Sequence, residues 1–203
     1  MKIICIGRNY TEHAKELKND VPSSPLFFMK PDVALLTDNK DFYYPSFTND
    51  IHYECELVVK IDKMGKCIEK QFANRYFSKV SLGIDFTARD IQEECKAKGL
   101  PWEKAKSFDQ SAAISSEWIS KEELDMENIP FSLQLNDKVV QHGNSSDMLF
   151  SISDIISYVS HFVTLKTGDL IFTGTPSGVG PVNIGDKLTG FMADKEMFNF
   201  SIR

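Results

Sequence analysis

The sequence predicts an α+β, strand-dominated fold with a few short helices. Three observations lead there. Short apolar runs rich in Ile, Val, Leu and Phe recur along the 203 residues, and Gly, Pro, Asn and Asp punctuate them as turn residues do. Only a few stretches keep helical spacing. No internal repeat or low-complexity tract sets up a solenoid or a disordered arm, so one domain over residues 1–203 is expected.

The elements follow in order. Residues 3–6 read as a short buried strand, and Gly7-Arg8-Asn9-Tyr10 as a turn. Thr11 can cap a short helix over residues 12–18, which the two prolines of 21–25 end. Residues 26–29 and 33–36 are extended, and the polar, Pro-containing stretch 38–50 is irregular. Residues 52–61 read as one long strand, 80–84 as another ending at Asp85, and 88–98 as a helix stopped by Gly99-Leu-Pro101. A loop carrying Lys104 and Lys106 comes next. Asn136-Asp137 between two apolar runs is a hairpin signal. Met148, Ile152, Ile155, Ile156 and Val159 form one stripe of a helix over 147–162. Strands at 170–173, 187–192 and 197–202 complete the chain, with the Gly-rich loop 174–180 between the first two.

Composition bounds the function. Hydrophobic residues make up 42% and charged residues 26%, as in ordinary globular domains. A net charge of −6 argues against a nucleic-acid partner, which needs a basic footprint. A small anionic substrate stays compatible, because a metal ion or a Lys/Arg cluster inverts the local field. No apolar run approaches a bilayer span and no signal peptide precedes the first strand, so no membrane partner is expected. Cys5, Cys55, Cys67 and Cys95 form no C-x-x-C pair and read as buried free thiols. That pattern fits a reducing compartment, and a cytoplasmic chain complete from its first strand is expected.

Four constellations can carry chemistry. Glu54 and Glu56 lie two residues apart on a strand, so they share a face with Cα atoms roughly 6.5–7 Å apart. They are either a solvated strand face or two ligands of one ion. Asp85, at a strand end, would complete an all-oxygen site suited to Mg²⁺ or Mn²⁺, whereas Zn²⁺ more often brings His or Cys. His13 and Glu16, three apart on one helix, form either a surface pair or a general base whose tautomer the carboxylate fixes. Arg8, Arg89, Lys104 and Lys106 are solvated cations or, near a metal, anion-binding groups, with Lys106 set apart by Ala105 and Phe108. Thr173-Gly-Thr-Pro-Ser-Gly-Val-Gly180 lacks the Gly-Lys-Ser/Thr of a Walker loop. It is a structural turn or a cradle for a substrate carboxylate. His52 lies on the glutamate face of its strand, and His142 and His161 read as structural or surface residues.

Taken in order, several stretches resemble the fumarylacetoacetate hydrolase family. They are Ile6-Gly-Arg-Asn-Tyr-Thr-Glu-His13, Phe28-Met-Lys-Pro31, Glu54-x-Glu56, Asp85-Phe-Thr-Ala-Arg-Asp90, Gly99-Leu-Pro-Trp-Glu-Lys-Ala-Lys-Ser-Phe108, Gln141-His-Gly-Asn-Ser-Ser-Asp-Met148 and Gly174-Thr-Pro-Ser-Gly-Val-Gly180. The likeness is greatest to the small acylpyruvase and oxaloacetate decarboxylase branch. It implies a mixed β-roll, usually dimeric, with Glu54, Glu56 and Asp85 as divalent-metal ligands. It also implies a His13/Glu16 dyad on a mobile lid helix, Lys106 and Gln92 beside the metal, and Arg8 and Thr175 lining the substrate site. The implied activity is hydrolysis of acylpyruvates to pyruvate, decarboxylation of oxaloacetate through the enolate of pyruvate, or both. Isomerisation or tautomerisation of a 2-oxo or 2-hydroxy-diene dicarboxylic acid on the same site is the alternative. A non-catalytic metal-binding protein is the remaining one.

Overall fold

A computed structural model describes residues 1–16 and 20–203. Its elements are β1 (Ile3–Gly7), α1 (Thr11–Glu16), β2 (Leu26–Lys30), β3 (Leu35–Leu36), β4 (Ile51–Tyr53), β5 (Cys55–Ile61), α2 (Lys70–Ala73), β6 (Phe77–Asp85), β7 (Thr87–Ala88), α3 (Arg89–Lys98) and α4 (Glu103–Lys106). They continue with β8 (Ala112–Ile114), β9 (Ile119–Ser120), β10 (Pro130–Leu135), β11 (Lys138–Asn144), α5 (Ile152–Phe162), β12 (Leu170–Phe172), β13 (Gly180–Pro181), β14 (Lys187–Met192) and β15 (Lys195–Ser201). This is the strand-dominated α+β architecture that the short apolar runs predict.

The strands form three sheets among the described residues. The largest runs β2-β1-β12-β5-β6-β8-β3, with β9 added on β6, and the others run β11-β10-β14-β15 and β13-β4-β7. The large sheet is mixed: β1 pairs parallel with β12 and β3 with β8, while β5 and β6 are antiparallel. Period-two alternation then fills both of its faces. Ile4, Ile6, Leu57, Val59, Ile61, Leu82 and Ile84 join the main core, which the four-stranded sheet closes through Phe131, Leu133, Leu188 and Phe198. Ile3, Cys5, Val58, Ala112, Leu170 and Phe172 pack in a smaller cluster on the opposite face. Burial on both faces explains why these strands read as continuous apolar runs. Glu56 and Asp85 share strand parity with this smaller cluster, and Lys30, paired opposite Ile3, reaches the same face.

Several local expectations are corrected. The strand expected over 52–61 is two strands, since β4 pairs with β7 and β13 while β5 belongs to the large sheet. Glu54 sits at the break, where the amide of Cys55 donates to Gln141 Oε1 at 2.9 Å instead of to a neighbouring strand. The last helix starts at Ile152 rather than at 147. Ser151 and Asp154 make a capping box, and Met148 bridges to Tyr10 in extended conformation. The loop with Lys104 and Lys106 contains the one-turn helix α4. Residues 32–34 form a 3₁₀ turn before β3. Helix α1 begins at Thr11 itself, and its expected end at Lys18 lies outside the described residues. Cys67 is exposed, whereas Cys5, Cys55 and Cys95 are buried, and all four are free thiols. The hairpin at Asn136-Asp137 is present, with φ of 50° and 64° as a two-residue turn between twisted strands requires.

Candidate metal centre and active site

The ladder between β5 and β6 aligns Glu56 with Gly83 and Cys55 with Ile84, and the amide of Asp85 donates to the Glu54 carbonyl at 2.8 Å. Two strand ends thus bring three carboxylates to one point. Each of Glu54, Glu56 and Asp85 is buried, and each offers an oxygen within 4.8 Å of the others. Three anions that close need cations or protons.

Three cations answer them. Arg89 Nη2 donates to Glu54 Oε1 at 2.6 Å, and Thr87 Oγ1 donates to the same oxygen at 3.0 Å. Lys106 Nζ bridges Glu54 Oε2 at 2.9 Å and Asp85 Oδ2 at 3.0 Å, with the Phe28 ring 5.2 Å away. Lys30 Nζ lies 2.7 Å from Asp85 Oδ1, while its hydrogen bonds go to the carbonyls of Phe86 and Ser111. That ion pair lies off the hydrogen-bonding direction, so Asp85 Oδ1 is buried without a donor. Glu56 receives one hydrogen bond, from the Gly174 amide at 2.7 Å. Gly174 sits at φ 101°, and a Cβ there would come within 2.7 Å of Asn9 Cβ, so glycine alone brings this amide so close.

The electrostatics divide the three acids. Burial raises the pKa of Glu54, but Lys106, Arg89 and His13 outweigh it and hold the carboxyl well below its ordinary value. Glu56 is pushed well above its ordinary value by burial, then by Asp85 and Glu54. Burial works against the Lys106 ammonium, yet Asp85 and Glu54 prevail and raise its pKa. The donor-free Asp85 oxygen, the high-pKa Glu56 and an all-oxygen donor set together fit a hard divalent cation.

Above this floor sits α1. His13 is buried, and its Nδ1 lies 3.3 Å from Glu16 Oε2. Glu16 also accepts from the Gly178 amide at 3.0 and 3.2 Å, which ties the helix to the Gly-rich loop. Burial lowers the His13 pKa from 6.5 against the opposing pull of Glu54 and Glu16, so the imidazole is neutral at pH 7. Arg8 and Thr175 line the same pocket, and Gln141 Nε2 donates to Thr175 Oγ1 at 2.8 Å. Gln92 also lines it and accepts from Arg89 Nη1 at 2.6 Å.

The structure therefore brings together all nine residues expected at the site: Arg8, His13, Glu16, Glu54, Glu56, Asp85, Gln92, Lys106 and Thr175. Lys104 does not line this pocket. His52 stands apart with Asp50 at 2.9 Å, and His142 and His161 are exposed. Two contributors were not singled out from the sequence. Lys30 ends the apolar strand β2, where a lysine carried onto a buried face needs an anionic partner. Asn9 is buried, and its side chain bonds the backbone of Phe150 twice and the Thr173 carbonyl once, fixing the turn beside Arg8.

A family model described as fumarylacetoacetate (FAA) hydrolase C-terminal matches residues 2–203. Oxaloacetate tautomerase FAHD1, mitochondrial, of Bos taurus is 43% identical over 187 residues, covering 92% of this chain and 84% of that protein. Oxaloacetate decarboxylase, mitochondrial, of Dictyostelium discoideum is 43% identical over 186 residues, covering 91% of this chain and 85% of that protein. The crystal structure of fumarylpyruvate hydrolase from Pseudomonas aeruginosa in complex with Mn²⁺ and pyruvate superposes with a TM-score of 0.94 at 34% identity, over 100% of this chain and 89% of that one. Both curated relatives are mitochondrial by name, so they lend no support to the cytoplasmic expectation. No helix among the described residues is long and apolar enough to cross a membrane.

Proposed function

We propose that this chain, which belongs to the fumarylacetoacetate hydrolase family and is one of its enzymes, releases pyruvate from small 2-oxo acids with the help of Mg²⁺ or Mn²⁺. Acylpyruvates such as acetylpyruvate and fumarylpyruvate would be hydrolysed at the C–C bond, and oxaloacetate decarboxylated. The carrying observation is the buried triad of Glu54, Glu56 and Asp85, with one donor-free oxygen, lying beneath His13 and beside Lys106.

Glu54, Glu56 and Asp85 would hold the cation, which when bound supplies Lewis-acid stabilisation of an enolate. His13, neutral at pH 7 and oriented by Glu16, takes a proton from water, and the resulting hydroxide attacks the distal carbonyl of an acylpyruvate. Lys106, kept protonated by its carboxylate neighbours, places an ammonium where negative charge develops. Thr175, Gln92 and Arg8 hold the substrate's oxygens. Loss of CO₂ from oxaloacetate needs no attacking water, so it runs without the base step. The pocket holds about 430 Å³ of empty space, part of it open to solvent, and is narrow beneath α1. We take α1, tied to the Gly-rich loop through Glu16 and Gly178, as the element that lifts to admit substrate and closes to restore the dyad.

A second reading is tautomerisation of oxaloacetate, favoured by the name of the bovine relative. The same His13 and Lys106 would take the proton from the C–H next to the keto group and return one to its oxygen, so that a C–H bond is exchanged for an O–H bond and no C–C bond is cleaved. We further assign a single catalytic domain to residues 1–203, a homodimer, and a reducing compartment, taken as cytoplasm. Purified protein with Mg²⁺ is to be assayed on acetylpyruvate, fumarylpyruvate and oxaloacetate for pyruvate. Release from at least one supports the reading. Rapid keto–enol interconversion of oxaloacetate without pyruvate selects the tautomerase, and inactivity in every assay overturns both.

A further inference from the structure

Helix α3 presents Arg89, Gln92 and Lys96 at positions i, i+3 and i+7, one stripe facing the pocket. The first two are spoken for, because Arg89 bonds both Glu54 and Gln92. Lys96, two turns further on, lines the mouth with its ammonium 5.8 Å from the centre of the Trp102 ring. Arg8 lines the same pocket from the turn after β1, at φ 58°, an uncommon conformation for arginine that the neighbouring Asn9 network holds. Neither the Arg8 nor the Lys96 side chain has a hydrogen bond or ion pair among the described residues. Lys96 is exposed as a whole residue, and partial desolvation first, then Arg89 and Arg8, lower its pKa against the pull of Glu54.

Lys30, Arg89 and Lys106 equal the three carboxylates in number, although they pair only Glu54 and Asp85 and leave Glu56 to the Gly174 amide. A divalent ion leaves the floor with a surplus of two positive charges, enough for the 2-oxo acid end of a substrate. Arg8 and Lys96 add two more at the mouth that no group of the floor needs.

We propose that Arg8 and Lys96 form a subsite for a second, distal carboxylate, selecting dicarboxylic 2-oxo acids over monocarboxylic ones of the same reaction class. This rests on the pyruvate-releasing reading for its kinetic test but not for its binding test. Fumarylpyruvate carries a distal carboxylate and acetylpyruvate does not, while the bond cleaved is the same in both. In Lys96→Met, and more so in Arg8→Met/Lys96→Met, the ratio of kcat/KM for fumarylpyruvate over acetylpyruvate is expected to fall about tenfold to a hundredfold, mainly through the KM of fumarylpyruvate. Lys96→Arg should keep most of the preference. A ratio that does not move, whether or not both activities fall, overturns the subsite.

Binding separates the two proposals. With Mg²⁺ present, calorimetry should show 2-oxoglutarate binding more tightly than 2-oxopentanoate, which has the same chain length without the distal charge. Lys96→Met should erase that preference. If no acylpyruvate is turned over but the preference is present and lost in the variant, the subsite stands and the proposed reaction fails. Equal binding of the two acids to the wild-type protein overturns the subsite alone.

Discussion

Replacing Glu56 by Gln should stabilise the metal-free protein while crippling its response to metal. Glu56 is buried, receives one hydrogen bond, and is flanked by Asp85 and Glu54. Its folded-state pKa is raised, so between 4.5 and that raised value the folded chain binds more protons than the unfolded one. Stability therefore falls as pH rises through this window, and a neutral amide escapes the loss. The most that holding a proton on a group of ordinary pKa 4.5 costs at pH 7 is about 3 kcal/mol, at about 1.4 kcal/mol per pH unit. We expect a gain of about 1–3 kcal/mol, read as a Tm rise of about 3–8 °C for a chain of this length. The gain should shrink as pH is lowered towards 4.5. Mg²⁺ reverses the comparison. At a concentration 100-fold above its Kd the ion adds about 2.7 kcal/mol to the wild type. If the Glu56→Gln change weakens affinity about 100-fold, the same concentration adds about 0.4 kcal/mol to the variant. Thermal unfolding of both proteins in chelator and in Mg²⁺, at pH 5 and pH 7, measures all four quantities. A metal-free variant no more stable than wild type at pH 7, or one with the full Mg²⁺ increment, would refute the reasoning.

Other outcomes follow from the same geometry. His13→Ala should lose acylpyruvate hydrolysis by about 10²–10⁴ while keeping the Mg²⁺-induced rise in Tm, and normal turnover would remove the dyad from the mechanism. Because burial lowers the His13 pKa, wild-type kcat/KM should fall with acid through a midpoint below 6.5, and a midpoint above that value would contradict a neutral buried base. Lys106→Met strips Glu54 and Asp85 of a shared buried partner and should cost about 3–5 kcal/mol without metal, partly recovered by Mg²⁺; urea titration showing less than about 1 kcal/mol would contradict the pairing. Asn9→Ala deletes three side-chain hydrogen bonds, one buried and two part-buried, and should cost about 1–4 kcal/mol by the same titration, with a neutral change counting against its role in fixing the turn.

Local signals in the sequence reached far into the site. The Glu54-x-Glu56 spacing and the strand-end position of Asp85 are properties of short segments, and the β5–β6 ladder needed only to set them side by side. The Asn136-Asp137 turn and the Gly99 stop, at φ 64°, are likewise local. What stayed hidden depends on distant partners. The break at Glu54 arises because β4 and β5 join different sheets and Gln141 captures the Cys55 amide from 86 residues away. Lys30 meets Asp85 across the large sheet, and Asn9 pins residues 141 and 164 positions further on. Met148 continues the apolar stripe of α5 and so lengthened the expected helix, but the Ser151 capping box sets the true start. Lys96 gave no signal, because only the fold turns that face of α3 towards the carboxylates.

The central claim is that Glu54, Glu56 and Asp85 hold one divalent ion on which pyruvate release depends. The direct measurement is a titration of chelator-treated protein with Mn²⁺, following bound ion and pyruvate release from fumarylpyruvate in the same samples. The account predicts that activity rises in proportion to occupancy and saturates at one ion per chain, and that Asp85→Asn shows neither tight binding nor turnover. Full activity in chelator, or wild-type Mn²⁺ affinity in Asp85→Asn, would contradict it.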